Sequence, residues 1–165
     1  MFILVLEVFR KKKQVAFQSE AENRDIPEGI WIKCTRCNEI LLNKDLDKNY
    51  KVCQKCGFYF RLTVAERIKM TLDEGSFREM DADILPVNPF ELADYDGKLI
   101  EARKKSGLNE AVVTGEGTVE GFPVIIAVMD TSFMMASMGT VVGDKITRAI
   151  EAAAAKQKPL IIFSA

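Results

Sequence analysis

The chain has 165 residues, 48% of them hydrophobic and 28% charged, with four cysteines and no histidine. A chain this long buries roughly 70% of its unfolded surface, so a core without covalent staples is expected and wholesale disorder is excluded. The missing histidine excludes Ser-His-Asp and Cys-His triads, His-ligated catalytic zinc and imidazole acid/base chemistry.

The formal net charge of -1 hides an uneven distribution. Residues 1–30 balance five acids against five bases, residues 31–70 carry nine Lys/Arg against four Asp/Glu, and residues 71–165 carry nine against fifteen. A small basic module followed by an acidic body is the expected organisation. The apolar run Met1–Phe9 is too short to span a bilayer, and its basic cluster Arg10–Lys13 follows it, the wrong order for a secretory signal. An N-terminal arm over 1–29, no membrane span and a cytoplasmic location are expected.

Cys34 and Cys37 are two residues apart, as are Cys53 and Cys56, and fifteen residues separate the pairs. The pattern C-x2-C-x15-C-x2-C lies in the spacing range of structural four-cysteine zinc sites. Two residues between thiolates let a tight turn aim both sulfurs at one point. Two such turns complete a tetrahedron at about 2.3 Å Zn–S, with no open position for chemistry. A zinc ribbon over 30–62 with one structural Zn2+ is therefore expected. Trp31–Lys33 and Asn49–Val52 read as its strands, with Leu41, Leu42 and Phe58–Phe60 as apolar cover. Four thiolates and the ion reduce its net charge to about +3. A positive ribbon with aromatics also suits a nucleic-acid-binding module.

A connector and loop occupy 63–110. Thr63–Glu66 is a capping box opening a short helix that ends before Gly75. Residues 81–96 hold two prolines among acids and read as a loop, and Leu99–Lys105 as a helix closed by Gly107. The body over 111–165 starts with a hairpin: Ala111–Val119 and Pro123–Met129 flank the turn pair Glu120-Gly121. The second run is apolar throughout, which predicts cover on both faces. Ser137–Thr140 opens a helix with the apolar face Val142, Ile146, Ala149, Ile150 and Ala153, and Leu160–Phe163 is another apolar strand. The β-β-α-β order predicts an α/β body with helices on a sheet. Backbone N–H groups at Ser137–Gly139 would suit a phosphate or an oxyanion, or form only a turn and cap. Met134, Met135 and Met138 read either as core filler or as a wall of an acyl or pantetheine channel.

IWIKCTRC, VCQKCGFYFRL, AERI, LDEGSF, SGLNEAVVTGEG and ASMGTVVGDKITRAIE occur in that order, preceded by FRKKK at Phe9–Lys13. Together they resemble the β subunit of bacterial acetyl-CoA carboxylase carboxyltransferase, from about residue 9 to the last residue. The first eight residues have no counterpart and read as an upstream extension. The resemblance implies a crotonase-like (ClpP/crotonase) α/β fold, a β-β-α spiral body behind a four-cysteine zinc ribbon. It implies carboxyl transfer from carboxybiotin, on a separate biotin carboxyl carrier protein, to acetyl-CoA, giving malonyl-CoA for fatty-acid synthesis. It also implies an α2β2 assembly in which the α subunit offers the biotin side and this chain the CoA side.

By that resemblance Cys34, Cys37, Cys53 and Cys56 are zinc ligands, and Ser137, Met138 and Gly139 are substrate-binding residues on the CoA side. The family's usual GSMGSVVGE loop is matched with Ala136, Thr140 and Asp144 as departures, conservative in size or charge, so an intact loop geometry is expected. The family's Gly-Gly oxyanion motif should follow Phe163–Ala165, where the sequence stops, so no catalytic residue is assigned. The sequence therefore reads as an incomplete body, inactive by itself, and a structural fragment that binds the α subunit is a further alternative.

Overall fold

The computed structural model describes residues 29–165, so the expected N-terminal arm lies outside the described residues, apart from Gly29. Strands β1 (Trp31–Lys33) and β2 (Ile40–Leu42) pair antiparallel around the first cysteine turn, followed by helix α1 (Asn43–Lys48). Asn49–Val52 is not the expected strand. Tyr50 and Lys51 have φ of 53 and 59°, and Val52 makes only a single bridge to Tyr59. The left-handed pair reverses the chain after α1, and Asn49 Nδ2 donates to Val52 O at 2.7 Å to close that turn. Leu46 of α1 is buried within the module, whereas Tyr59 of the expected apolar cover is 76% exposed.

Helix α2 (Val64–Thr71) starts at the predicted capping box. Thr63 Oγ1 accepts from Glu66 N, and Thr63 N donates to Glu66 Oε2 at 2.8 Å. Lys51 Nζ reaches Glu66 at 2.9 Å and Asp47 at 2.6 Å, tying the cysteine module to the start of this helix. Strand β3 (Arg78–Met80) has no signature in the sequence, because its three residues, two of them charged, form it only by pairing with β4. Helix α3 (Tyr95–Ser106) begins earlier than predicted and ends at Gly107, whose φ of 73° forms the left-handed cap.

The sheet has the order β3-β4-β5-β6, with β4 (Val112–Val119) and β5 (Phe122–Met129) forming the predicted hairpin. Its two turn residues, Glu120 and Gly121, have φ of 50 and 82°, the signs a type I′ turn requires. Asp73 fixes this turn from outside the hairpin, accepting from Glu120 N at 2.9 Å, Gly121 N at 2.8 Å and Thr118 Oγ1. The Thr118 hydroxyl and these backbone donors hold the Asp73 carboxyl below its usual range. Helix α4 (Thr140–Lys156) then crosses over to β6 (Leu160–Phe163), which runs parallel to β5.

Alternation along β5 divides the core, as its apolar run predicts. Ala127 packs with Leu99, Ala102, Phe133 and Val142 on the α3/α4 face. Val124, Ile126 and Val128 pack with Val64 and Leu72 on the α2 face. On α4, Val142, Ala149 and Ala153 are buried as expected, but Ile150 is 48% exposed and Lys145 is buried in its place. At 100° per residue Ile150 lies about 80° around the helix from Val142, at the margin of the contact stripe.

Gly115 shows why this strand carries glycine. A Cβ there would stand 2.3 Å from Phe77 and 2.6 Å from the Arg78 carbonyl oxygen. The ring could rotate, but the carbonyl belongs to the β3 backbone. Gly115→Ala is expected to cost about 1–3 kcal/mol through overpacking and a displaced β3. Urea unfolding measures it, and a loss below about 0.5 kcal/mol would show that β3 moves away freely.

Candidate functional site

The four cysteines meet at one point. Their sulfurs all lie within 4.8 Å of one another, with Cys34 and Cys53 buried and Cys37 and Cys56 half-buried. The Cys34–Cys56 and Cys37–Cys53 sulfurs are each 3.7 Å apart. A tetrahedron of sulfurs about 2.3 Å from zinc has edges of about 3.8 Å, so the cluster fits that ion. Folding back through two tight turns produces the closeness: Asn38 N donates to Cys34 O at 2.9 Å, and Gly57 N to Cys53 O at 2.9 Å.

The electrostatics also call for a cation. Burial pushes the Cys34 thiol up, yet the backbone N–H groups of Cys37 and Arg36 and the neighbouring sulfurs bring it down to about 7. Cys56 is pushed up to about 12 by burial and by the three other sulfurs. Four thiols this close do not ionise together unless a positive ion balances them. Around them the basic surplus is partly neutralised, since Lys55 pairs with Glu39 and Lys51 with Asp47 and Glu66.

A cavity of about 480 Å³ opens where the cysteine module joins the body. One wall is Arg61, Leu62 and Thr63, the segment entering α2. A second is one face of α3, where Lys98, Glu101, Ala102 and Lys105 follow helical spacing. The third is the loop after β5, with Asp130, Thr131, Ser132, Met134 and Met135. Arg61, Lys98 and Lys105 give it three cations against the carboxylates of Glu101 and Asp130. Arg61 Nη1 donates to Thr131 Oγ1 at 3.4 Å across the rim.

The predicted residues Ser137, Met138 and Gly139 do not line this cavity. All three are exposed, and Gly139 is the N-cap of α4, beside a separate gap of only about 20 Å³ lined also by Pro86 and Glu110. Ser137 Oγ donates to Met134 O at 2.8 Å, a local turn contact. Of the three methionines, Met134 is half-buried against the core, while Met135 and Met138 are 66% and 69% exposed. Met134 thus acts as core filler and cavity wall together. The cavity cations Arg61, Lys98 and Lys105 carry no motif of their own in the sequence. The Lys98–Lys105 spacing on a helix was the available signal, and the loop assignment up to residue 96 obscured how long that helix is.

The loop itself is strained. Met134, Met135 and Ala136 have consecutive positive φ values of 43, 57 and 58°. Each such residue with a Cβ costs about 1–2 kcal/mol. The departure to alanine at 136 therefore falls where glycine would be free of strain, so it is not conformationally neutral as its size suggests. The strain is held by Ala136 N donating to Phe133 O at 2.8 Å and by burial of Phe133 and Ala136.

Residues 31–56 match the acetyl-CoA carboxylase zinc finger domain, and residues 60–165 match the carboxyl transferase domain. The chain belongs to the carboxyl transferase family. This carboxyl transferase chain is 65% identical over 162 residues to the acetyl-coenzyme A carboxylase carboxyl transferase subunit beta of Pelotomaculum thermopropionicum, covering 98% of itself and 57% of that relative. Identity to the subunit of the same name from Desulforamulus reducens is 56%, covering 98% and 58%. The chain thus spans somewhat over half the length of these relatives. Among solved structures, transcarboxylase 12S with hydrolysed methylmalonyl-coenzyme A bound is similar at 30% identity and a TM-score of 0.52, over 63% of this chain and 18% of that one. A single-chain, multi-domain long-chain acyl-CoA carboxylase gives 25% identity and a TM-score of 0.52, over 63% and 11%. The carboxyl transferase fold is thus the crotonase-like α/β one expected, joined to a zinc ribbon. No helix among the described residues is long and apolar enough to cross a membrane.

Proposed function

We propose that this chain supplies the acyl-CoA side of a carboxyltransferase that carboxylates acetyl-CoA to malonyl-CoA, with the zinc ribbon as a structural element. The observation that carries the reading is the cavity at the ribbon–body junction, where Arg61, Lys98 and Lys105 face the half-apolar wall of Met134 and Met135. Phosphates of a CoA meet the cations, and its apolar acyl end meets methionine. The names of the relatives support acetyl-CoA as acceptor. Biotin on a separate carrier protein supplies the carboxyl group, and an α subunit offers its docking side, so this chain's residues bear only on the acyl-CoA half.

Their part is to bind, to orient and to exclude water. These 165 residues hold no histidine, so oriented N–H donors and cations are the devices they offer. The exposed first turn of α4 after Ser137, Met138 and Gly139 offers such donors and remains in this proposal as a secondary contact. Pairing of Lys51 and Lys55 with acids lowers the positive charge that the ribbon offers an anion.

Calorimetric titration with coenzyme A tests the reading. Reversing both helix charges, Lys98→Glu with Lys105→Glu, is expected to weaken binding at least about tenfold, because two charge-assisted contacts become repulsive. Affinity unchanged by the double reversal would remove coenzyme A from this cavity. No binding to the unaltered chain would overturn the acyl-CoA reading.

A further inference from the structure

The cavity's first and third walls belong to different parts of the fold. The segment into α2 comes from the ribbon side, and the Asp130–Met135 loop leaves the far end of β5. Nothing in the chain path forces them to a fixed separation, yet one side chain bonds to both. Asp130 Oδ2 accepts from Val64 N at 2.9 Å, the first residue of α2. Its Oδ1 accepts from Ser132 N at 2.8 Å. The Asp130 backbone is fixed as well, its N donating to Ala111 O at 2.9 Å and its O accepting from Phe133 N at 3.3 Å. The residue is only 5% exposed.

Such a carboxylate has a specific electrostatic use. Val64 N is an otherwise unpartnered donor in the first turn of a helix, where negative charge is favoured. Burial pushes the Asp130 carboxyl up, but the bonds from Ser132 and Val64 outweigh it and hold it below the usual range. It is therefore an anion at the cavity wall whose two oxygens are each taken by a backbone N–H, one from each wall. The second link across the walls, Arg61 to Thr131 at 3.4 Å, is longer and exposed.

We propose that Asp130 is a positioning residue for the acyl-CoA site: its carboxylate sets the spacing between the α2 entrance and the 131–135 loop. This inference rests on the acyl-CoA reading of the cavity for its ligand, but not for its geometry. Asp130→Asn keeps the size and one acceptor, and turns an NH2 donor toward one of two N–H groups. One link breaks and the walls separate.

A structural carboxylate elsewhere gives the matched control. Asp73 also accepts from two backbone N–H groups and a hydroxyl, but at the hairpin turn and outside this cavity. Asp130→Asn and Asp73→Asn are compared in the full chain by hydrogen–deuterium exchange and by coenzyme A titration. The expected result is faster exchange at both residues 61–66 and 131–137 in Asp130→Asn only, with coenzyme A bound about tenfold more weakly. Asp73→Asn should change binding less than twofold. Unchanged exchange at either wall in Asp130→Asn overturns the proposal, as does equal weakening of coenzyme A binding by both variants. Should the unaltered chain bind no coenzyme A, the ligand reading fails alone, and the exchange comparison still decides the role of Asp130.

Discussion

Replacing Cys34 and Cys53 together with serine is expected to leave a chain that retains no zinc and whose residues 30–60 exchange amide hydrogens freely. The unaltered chain is expected to carry one zinc ion. The size of the effect follows from how little else holds that module. Among its hydrophobic residues only Leu46, Cys34 and Cys53 are buried, and two of those are ligands. Two three-residue strands and a six-residue helix cannot fold on such a core. Structural zinc contributes about 10–16 kcal/mol of apparent binding free energy in small modules at neutral pH, and that is folding free energy. The body should keep its protection at β4 and β5, since its clusters contain no ribbon residue. Metal analysis and exchange read the two halves separately. Zinc near zero in unaltered, reduced, metal-replete protein, or a protected ribbon in the serine variant, would refute the structural role.

Phe133→Ala is the second large effect, expected to cost about 3–5 kcal/mol, a large part of the 5–15 typical of a domain. Phe133 is 1% exposed and packs among Leu99, Ala102, Ala127 and Val142. It joins both helices of that face to the sheet, and its carbonyl accepts the Ala136 N–H that holds the left-handed loop. Removing the ring empties a site that β5 cannot collapse to fill, because β4 and β6 fix it on both sides. Chemical denaturation monitored by the intact ribbon's and body's signals measures the loss. A cost under about 1 kcal/mol would mean that α3 and α4 close over the gap.

The cysteine spacing was enough to bring four sulfurs together, because the x2 turns and the return path leave few other solutions. The hairpin and its turn were legible for a related reason: Glu120-Gly121 and the apolar runs specify a local, two-residue reversal. The capping box at Thr63–Glu66 and the bounds of β6 were equally local. The failures are all cases where a neighbour decides. β3 exists because β4 offers it a ladder. Asn49–Val52 turns through the left-handed Tyr50 and Lys51, in a reversal that Asn49 Nδ2 closes and that the Lys51 pairs to Asp47 and Glu66 accompany. Ile150 lies outside the core because the sheet touches a narrower stripe of α4 than the hydrophobic pattern marks.

The uneven charge along the chain takes a different meaning in three dimensions. The sequence alone determined a basic, cysteine-bearing module before an acidic α/β body, with no imidazole among these residues. It could not place Arg61 of the first beside Lys98 and Lys105 of the second, nor show Asp130 bonded across the gap between them. Cysteine turns, caps and hairpins are short-range, so a few consecutive residues encode them. A cavity is made by surfaces distant in the chain, whose spacing depends on packing and buried hydrogen bonds that only the tertiary fold supplies.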